Sequence, residues 1–219
     1  MATVVTFLVV ILGWVFSLCL HEFSHAIVAY YGGDTSVRDK GYLTFNPLKY
    51  THPVYSILLP MVFLLLGGIG LPGGAVYIET WRLRGKRWES AVSLAGPMAN
   101  LLLAVVLSIV LHFAPVTASG IWPGLAFLGL LQIMAVVLNL VPVPPFDGYR
   151  VVAPFLDPEA RGRIDQASSI IMLAVFFLLW YVPVVNNFFW SVVSWISVQL
   201  HIPLSLALIG LNQFQFWRR

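Results

Sequence analysis

Long apolar runs alternate with short polar segments along the whole chain. A helix needs about 20 predominantly apolar residues to cross a bilayer, within a range of about 17 to 25. Five runs fall near that length, and we predict a membrane-spanning helix for each: residues 3–31, 90–113, 121–141, 167–183 and 188–210. The pattern therefore predicts an all-α polytopic membrane protein.

A sixth apolar stretch, residues 53–74, is interrupted by Pro60 and is rich in glycine. Such interruptions are typical of a broken or re-entrant element that returns to its starting side. If it returns, all 12 lysines and arginines lie on one face, whereas a full crossing would divide them between the two faces. The positive-inside rule favours the first arrangement, with the basic face in the cytoplasm. We therefore expect five to six spans in all, counting this segment.

Composition supports the membrane assignment. Hydrophobic residues make up 59% of the chain and charged residues 10%, against about 45–50% apolar residues in an ordinary soluble domain. Topology accounts for the basic residues, so we expect no nucleic-acid partner. The first run lacks a basic n-region, which predicts a retained span. The single cysteine, Cys19, excludes an intramolecular disulfide and a cysteine-rich metal site.

Two histidines and a glutamate interrupt the first apolar run, in the sequence HEFSH at residues 21–25. Ionisable groups at membrane depth are costly and usually functional. On a helix, His21 and His25 lie about 40° apart on one face, so both imidazoles can bind one zinc ion while Glu22 activates water as a general base. The alternative is that these groups are satisfied inside a helix bundle, but the adjacent residues offer no acid or base to pair with them.

A catalytic zinc takes three protein ligands and keeps one position open. The predicted topology excludes His112, which lies at the outer end of its helix. Asp147, in the proline-rich break VPVPPFDG after the third span, is at suitable depth, although an Asp-Gly turn is the alternative for it. His52 is the runner-up ligand. Asp34 and Asp39 have the pattern of solvated loop residues.

Several motifs together resemble the site-2 protease family of intramembrane zinc metalloproteases, over roughly residues 14–150. HEFSHAIVA (21–29) is similar to the family's zinc helix, and SLAGPMAN (93–100) to its A-G-P-x-x-N helix start. NLVPVPPFDG (139–148) is similar to its N-x-x-P-x-x-x-x-D-G element. The pair GD at 33–34, followed by GYLTFNPLKYTHP, resembles its small membrane-associated β-hairpin.

The resemblance implies a role for each matching residue. His21, His25 and Asp147 would bind one catalytic Zn²⁺, and Glu22 would be the catalytic base. Asn100 and Asn139 would position the substrate backbone or polarise the scissile carbonyl, although a helix-end amide is the alternative for both. The chain departs from the family at Tyr149, which replaces a second glycine after Asp-Gly.

The resemblance also implies the organisation of the chain. We expect a single integral domain over 1–219, with a zinc-site core of about 1–150, accessory helices over about 167–211, and no PDZ or CBS domain. Residues 36–45 would offer a strand edge to an unwound substrate, with an ordinary cytoplasmic loop as the alternative.

The function expected from these features is hydrolysis of peptide bonds within or near transmembrane segments of membrane proteins. We expect a multi-pass protein of the plasma membrane, with its active site toward the cytoplasm, where water can reach it. Its partners would be a transmembrane substrate and the lipid bilayer, and the oligomeric state is left open. Two rival functions are a zinc-binding protein without proteolysis and a scaffold that grips transmembrane helices without cutting them.

Overall fold

Helices make up most of the computed structural model, which describes residues 2–50, 64–65, 76–115 and 119–218. The α-helices of this part of the chain are α1 (Ala2–Gly32), α2 (Ser36–Asp39), α3 (Lys86–His112), α4 (Trp122–Asn139), α5 (Asp147–Val152), α6 (Pro158–Gln166), α7 (Ser168–Tyr181), α8 (Pro183–Gln199) and α9 (Leu204–Phe214). Short 3₁₀ helices lie at Pro47–Lys49, Thr80–Arg82, Ala153–Phe155 and Phe216–Arg218.

Three of these helices, α1, α3 and α4, are long and apolar enough to cross a membrane. They confirm the spans predicted at 3–31, 90–113 and 121–141. Helix α4 lies at the centre, and most of its residues are buried. A helix that is apolar on all sides, as α4 is, becomes buried because each face finds an apolar partner.

The C-terminal helices form two bent pairs. Helices α6 and α7 meet at 63°, and α8 and α9 at 118°. The described residues therefore contain three to five candidate spans by length and composition. The run 188–210 is not one continuous helix, because α8 ends at Gln199, before His201, which has a left-handed φ of 55°. Pro203 then follows, and it has no N–H with which to continue a helix.

Polar side chains join the helices inside this apolar bundle. Ser17 of α1 donates a hydrogen bond to Gln132 of α4 at 2.5 Å, and Thr6 of α1 donates one to Gln213 of α9 at 2.6 Å. Interhelical hydrogen bonds therefore link α1 to α4 and α1 to α9. They satisfy polar side chains that have no water around them in the core.

The β-hairpin predicted after the GD pair does not form in residues 36–50, and the strand edge predicted at 36–45 is wrong for the same reason. Asp34 accepts hydrogen bonds from the backbone and hydroxyl of Ser36, which begins a helical turn at α2. Asn46 accepts from the Leu48 backbone and begins the 3₁₀ turn Pro47–Lys49. Local side-chain caps therefore favour turns over strands here. The runner-up ligand His52 and the predicted re-entrant stretch 53–74 lie outside the described residues, apart from the pair 64–65.

Candidate metal centre

Helix α1 presents two imidazoles to the start of α5. The Nε2 atoms of His21 and His25 lie 3.0 Å apart. Asp147 Oδ2 lies 3.2 Å from His21 Nε2 and 3.5 Å from His25 Nε2. In the described residues these three side chains form the one group of His, Cys, Asp or Glu that is close enough to share a metal ion. Helix periodicity predicted His21 and His25, and the proline-rich break predicted Asp147. The structure brings these three residues together.

Helix α3 passes very close to this point, and a glycine makes the approach possible. A Cβ atom at Gly96 would lie 2.5 Å from His21 Nε2. Real Cβ contacts are essentially never that short, so any side chain here would displace the ligand atoms. The glycine of the A-G-P motif therefore keeps space free beside both imidazoles.

The orientation of the His25 ring is set from α3 as well. His25 Nδ1 lies 2.6 Å from the Val92 carbonyl oxygen. A carbonyl oxygen only accepts, so Nδ1 must carry the hydrogen, and the lone pair of the neutral ring then lies on Nε2. This backbone partner is typical of metal-binding histidines, because it fixes both the tautomer and the ring direction.

Asp147 reaches the imidazoles because the chain folds back tightly after α4. A Cβ at the next residue, Gly148, would lie 2.3 Å from the Leu140 carbonyl oxygen, so only glycine allows this close packing of backbone on backbone. The Asp147 side chain is 14% exposed. Asp147 and Gly148 are the first residues of α5, so the alternative of an Asp-Gly turn does not form, and Asp147 brings a mostly buried carboxylate to the imidazoles.

Glu22 lies beside this group without belonging to it. Its side chain is buried, and Oε2 accepts a hydrogen bond of 3.1 Å from the Val76 backbone N–H. Val76 belongs to a short segment without regular secondary structure, residues 76–79, which contacts Glu22 of α1 and Asp34 just after α1. One carboxylate oxygen of Glu22 is thus fixed by the backbone, in a position separate from the candidate ligands.

The three side chains fit zinc. Ligand atoms about 2.0–2.2 Å from a tetrahedral zinc lie about 3.3–3.5 Å from one another, close to the 3.0, 3.2 and 3.5 Å observed between the ligand atoms. Two imidazoles and one carboxylate are also a usual donor set for catalytic zinc, which keeps its fourth position for water or substrate. The space beside Gly96 is consistent with an ion at this point.

A cavity of about 590 Å³ leads away from the three side chains. Its deep wall includes the buried His21 and His25 and the buried Asn139, and its outer wall includes the exposed Arg150 and Asp165. Because one cavity joins buried ligands to exposed charged residues, water has a path to the candidate metal centre.

Two ion-pair and hydrogen-bond contacts form the outer wall. Arg161 of α6 pairs with Glu89 of α3 at 2.7 Å, and the Tyr149 hydroxyl donates to Asp165 at 2.9 Å. Partial burial, and then the Asp165 carboxylate, raise the pKa of Tyr149. These contacts hold α6 over the cavity, and Tyr149, the residue that departs from the family pattern, is one of them.

The two asparagines lie in different places. Asn139 is the last residue of α4 and lines the cavity. Asn100 is buried one turn after Gly96 in α3, and its Oδ1 has no hydrogen-bond partner among the described residues. The structure therefore puts Asn139, but not Asn100, in the wall of the described cavity.

The prediction that Asp34 is a solvated loop residue is wrong. Asp34 is fully buried, not solvated, because it accepts hydrogen bonds from Ser36 and from the Glu79 backbone N–H. Asp39 is exposed, as predicted. The sequence signal that could have separated the two is the spacing Asp-x-Ser, which is typical of a local side-chain cap. The partner at Glu79 is distant in sequence and left no local signal.

Glu79 links the segment 76–79 to two cations. Its carboxylate pairs with Lys40 at 2.8 Å and with Arg82 at 2.5 Å. Hydrogen bonds from Lys40 and then from Arg82 hold the pKa of Glu79 below its usual value. Ion pairs with Lys40 and Arg82 therefore hold the segment 76–79, whose Val76 contacts Glu22.

Comparison with known proteins finds relatives that are named as zinc metalloproteases. The chain is 45% identical to the protein named "Putative zinc metalloprotease Rip2" of Mycolicibacterium smegmatis, over 96% of this chain and 81% of that protein. The Mycobacterium tuberculosis protein of the same name is also 45% identical, with the same coverage. "Putative zinc metalloprotease YwhC" of Bacillus subtilis is 30% identical, over 81% of this chain and 82% of that protein. No family model and no solved structure matches.

Proposed function

The chain belongs to the site-2 protease family of zinc metalloproteases, and on that premise we propose that it hydrolyses peptide bonds within or near transmembrane segments of membrane proteins. The observation that carries this proposal is the position of the three candidate ligands. His21 and His25 are buried well inside α1, a 31-residue apolar helix, and Asp147 reaches them there. A site inside a membrane-spanning helix suits a substrate that is itself in the bilayer.

The candidate ligands and the base have distinct roles. His21, His25 and Asp147 would bind one zinc ion, which when bound supplies a Lewis acid that makes water more acidic. Glu22 takes the proton of the attacking water on its carboxylate and returns it to the leaving amine. Val76 N–H donates to Oε2 of Glu22 and Glu22 lines the cavity, so we assign this task to the other oxygen, Oε1.

The cavity provides water and space for the reacting chain. A transmembrane helix hides its peptide bonds in i to i−4 hydrogen bonds, so a substrate must unwind locally before hydrolysis. The cavity of about 590 Å³ is large enough for a few extended residues beside Glu22. Asn139 in its wall has an amide that would position the substrate backbone or polarise its carbonyl. Asn100 of α3, close to Gly96, would have the same role toward the substrate.

The sidedness of the site follows from charge. Arg150 and Arg161 line the outer part of the cavity, and by the positive-inside rule this end faces the cytoplasm. We propose a multi-pass plasma-membrane protein whose substrate is a transmembrane protein cut near the cytoplasmic end of its span. The bilayer and this substrate are its expected partners.

The proposal is tested by separating metal binding from proteolysis. Wild type, Glu22→Gln and the exposed control Glu159→Gln are purified and reconstituted in liposomes with a single-span reporter. Zinc content is measured in all three. We expect Glu22→Gln to keep zinc and to lose cleavage, while Glu159→Gln keeps both. Cleavage by Glu22→Gln at the wild-type rate would contradict the role of Glu22. Zinc binding by a wild type that cleaves no membrane substrate would favour the rival zinc-binding or helix-gripping function.

A further inference from the structure

Asp34 has an unusual environment for an acidic residue in a surface loop. It is fully buried, and both of its oxygens are used. Oδ1 accepts from the Ser36 N–H at 3.1 Å and from the Ser36 hydroxyl at 2.6 Å, and Oδ2 accepts from the Glu79 N–H at 2.7 Å. A buried carboxylate is costly unless its oxygens are hydrogen-bonded, so these contacts explain how it is tolerated.

The Glu79 contact fixes one end of the segment 76–79. Lys40 adds a second fixed point, because its ammonium group donates to the Tyr77 carbonyl oxygen at 3.2 Å as well as to Glu79. The backbone just beyond the segment is also fixed, since Arg84 N–H donates to the Gly32 carbonyl oxygen at 2.9 Å. The segment is therefore attached to the end of α1 over several consecutive residues.

The same segment contacts Glu22 through Val76. Val76 N–H donates to Glu22 Oε2 at 3.1 Å, and Val76 is buried in the same hydrophobic cluster as Cys19 and Val92. Glu22 is in α1, and Asp34 follows directly after α1 ends. Glu22 of α1 and Asp34, which follows α1, thus contact the same short segment at Val76 and at Glu79.

We propose that Asp34 is a positioning residue for the reaction, acting through the segment 76–79 to keep Val76 N–H on the carboxylate of Glu22. This inference rests on the proposed role of Glu22 as the base. A carboxylate with one oxygen fixed by a backbone N–H has a defined orientation, and this carboxylate belongs to a residue that lines the cavity. A base displaced by about 1 Å can cost up to about 100-fold in rate, so loss of this contact lowers turnover without removing a ligand.

The isosteric change Asp34→Asn separates this role from a purely structural one. An amide has one acceptor oxygen, whereas Asp34 serves N–H groups with both of its oxygens. The oxygen of asparagine keeps two hydrogen bonds on the Ser36 side and only one on the Glu79 side, so we expect its NH₂ group to oppose the Glu79 N–H. Asp39, the last residue of the neighbouring helix α2, is exposed, so Asp39→Asn is the matched control.

The experiment uses the full chain in liposomes with the single-span reporter, and it measures kcat, KM and zinc content. We expect Asp34→Asn to lower kcat about tenfold or more, with KM within about twofold of wild type and an unchanged zinc content. Asp39→Asn should match wild type in all three. Loss of zinc in Asp34→Asn, or an unchanged kcat, would overturn the proposal.

A double-mutant cycle tests the route through Val76. Val76→Pro removes the N–H that Glu22 accepts, and we expect a similar fall in kcat with zinc retained. The double variant Asp34→Asn with Val76→Pro should lose no more than the stronger single variant, because both remove the same contact. Multiplied losses would show independent effects and reject the inference. Full cleavage by Glu22→Gln would instead reject the proposed function itself, so the two failures are distinguishable.

Discussion

Asp147 Oδ2 lies 3.2 Å from His21 Nε2, although His21 is in the first helix and Asp147 begins the short helix that follows α4. The contact places a carboxylate next to two imidazoles. A carboxylate leaves a bound zinc ion with a net charge of about +1, where a third imidazole would leave about +2, and the lower charge is cheaper to bury.

The contact predicts that Asp147→Ala loses both zinc and proteolysis. His52→Ala should keep most of its zinc. Zinc content of the purified variants, measured by atomic absorption, decides between them. Wild-type zinc in Asp147→Ala together with zinc loss in His52→Ala would reverse the assignment and make His52 the third ligand.

Gly96→Ala should also abolish zinc binding, although it adds only one methyl group. That methyl would lie 2.4 Å from His25 Nε2 and 2.5 Å from His21 Nε2, in the space that the ion needs. Gly162→Ala is a matched control, because Gly162 is also in a helix but its Cβ would meet nothing within 4 Å. We expect the control to keep zinc and to gain at most about 1 kcal/mol of stability. Equal zinc content in the two variants would contradict the tight fit.

Labelling of introduced cysteines tests the predicted topology. With Cys19 replaced by serine, cysteines at Asp39 and Trp81 should both react from the cytoplasmic side, because their loops belong to the basic face. A cysteine at Ser119, between α3 and α4, should react from the opposite side. Opposite labelling of the first two positions would mean that the intervening stretch crosses the membrane completely.

Gly210→Ala should weaken the packing of α9 on α4. A Cβ at Gly210 would lie 2.0 Å from the Pro123 carbonyl oxygen, which is backbone and cannot rotate away. We expect destabilisation of about 1–3 kcal/mol, seen as a lower midpoint of thermal unfolding in detergent, with zinc content unchanged below that midpoint. Unfolding identical to that of wild type would show that α9 moves freely relative to α4.

Periodicity predicted much of this protein because it reports local physics. The three long spans follow from runs of apolar residues, and the pairing of His21 with His25 follows from helix geometry alone. The sharp bend between α8 and α9 was not predicted, although His201 and Pro203 both mark it, because an apolar run reads the same whether the helix is straight or broken. The strands predicted at 36–45 failed because local caps at Asp34 and Asn46 competed with β-propensity.

The sequence by itself therefore determined which residues are available for chemistry: a zinc-binding pair with its glutamate on α1, an aspartate in a proline-rich break, and a glycine in the A-G-P motif. Only the tertiary structure decided that Gly96 leaves room beside the imidazoles, that Val76 N–H holds Glu22, and that Asp34 is buried against Glu79. The physical reason is that these contacts join residues distant along the chain through backbone atoms. Every residue type carries the same backbone N–H and C=O groups, proline's missing N–H excepted, so such partners leave no signal in the order of side chains.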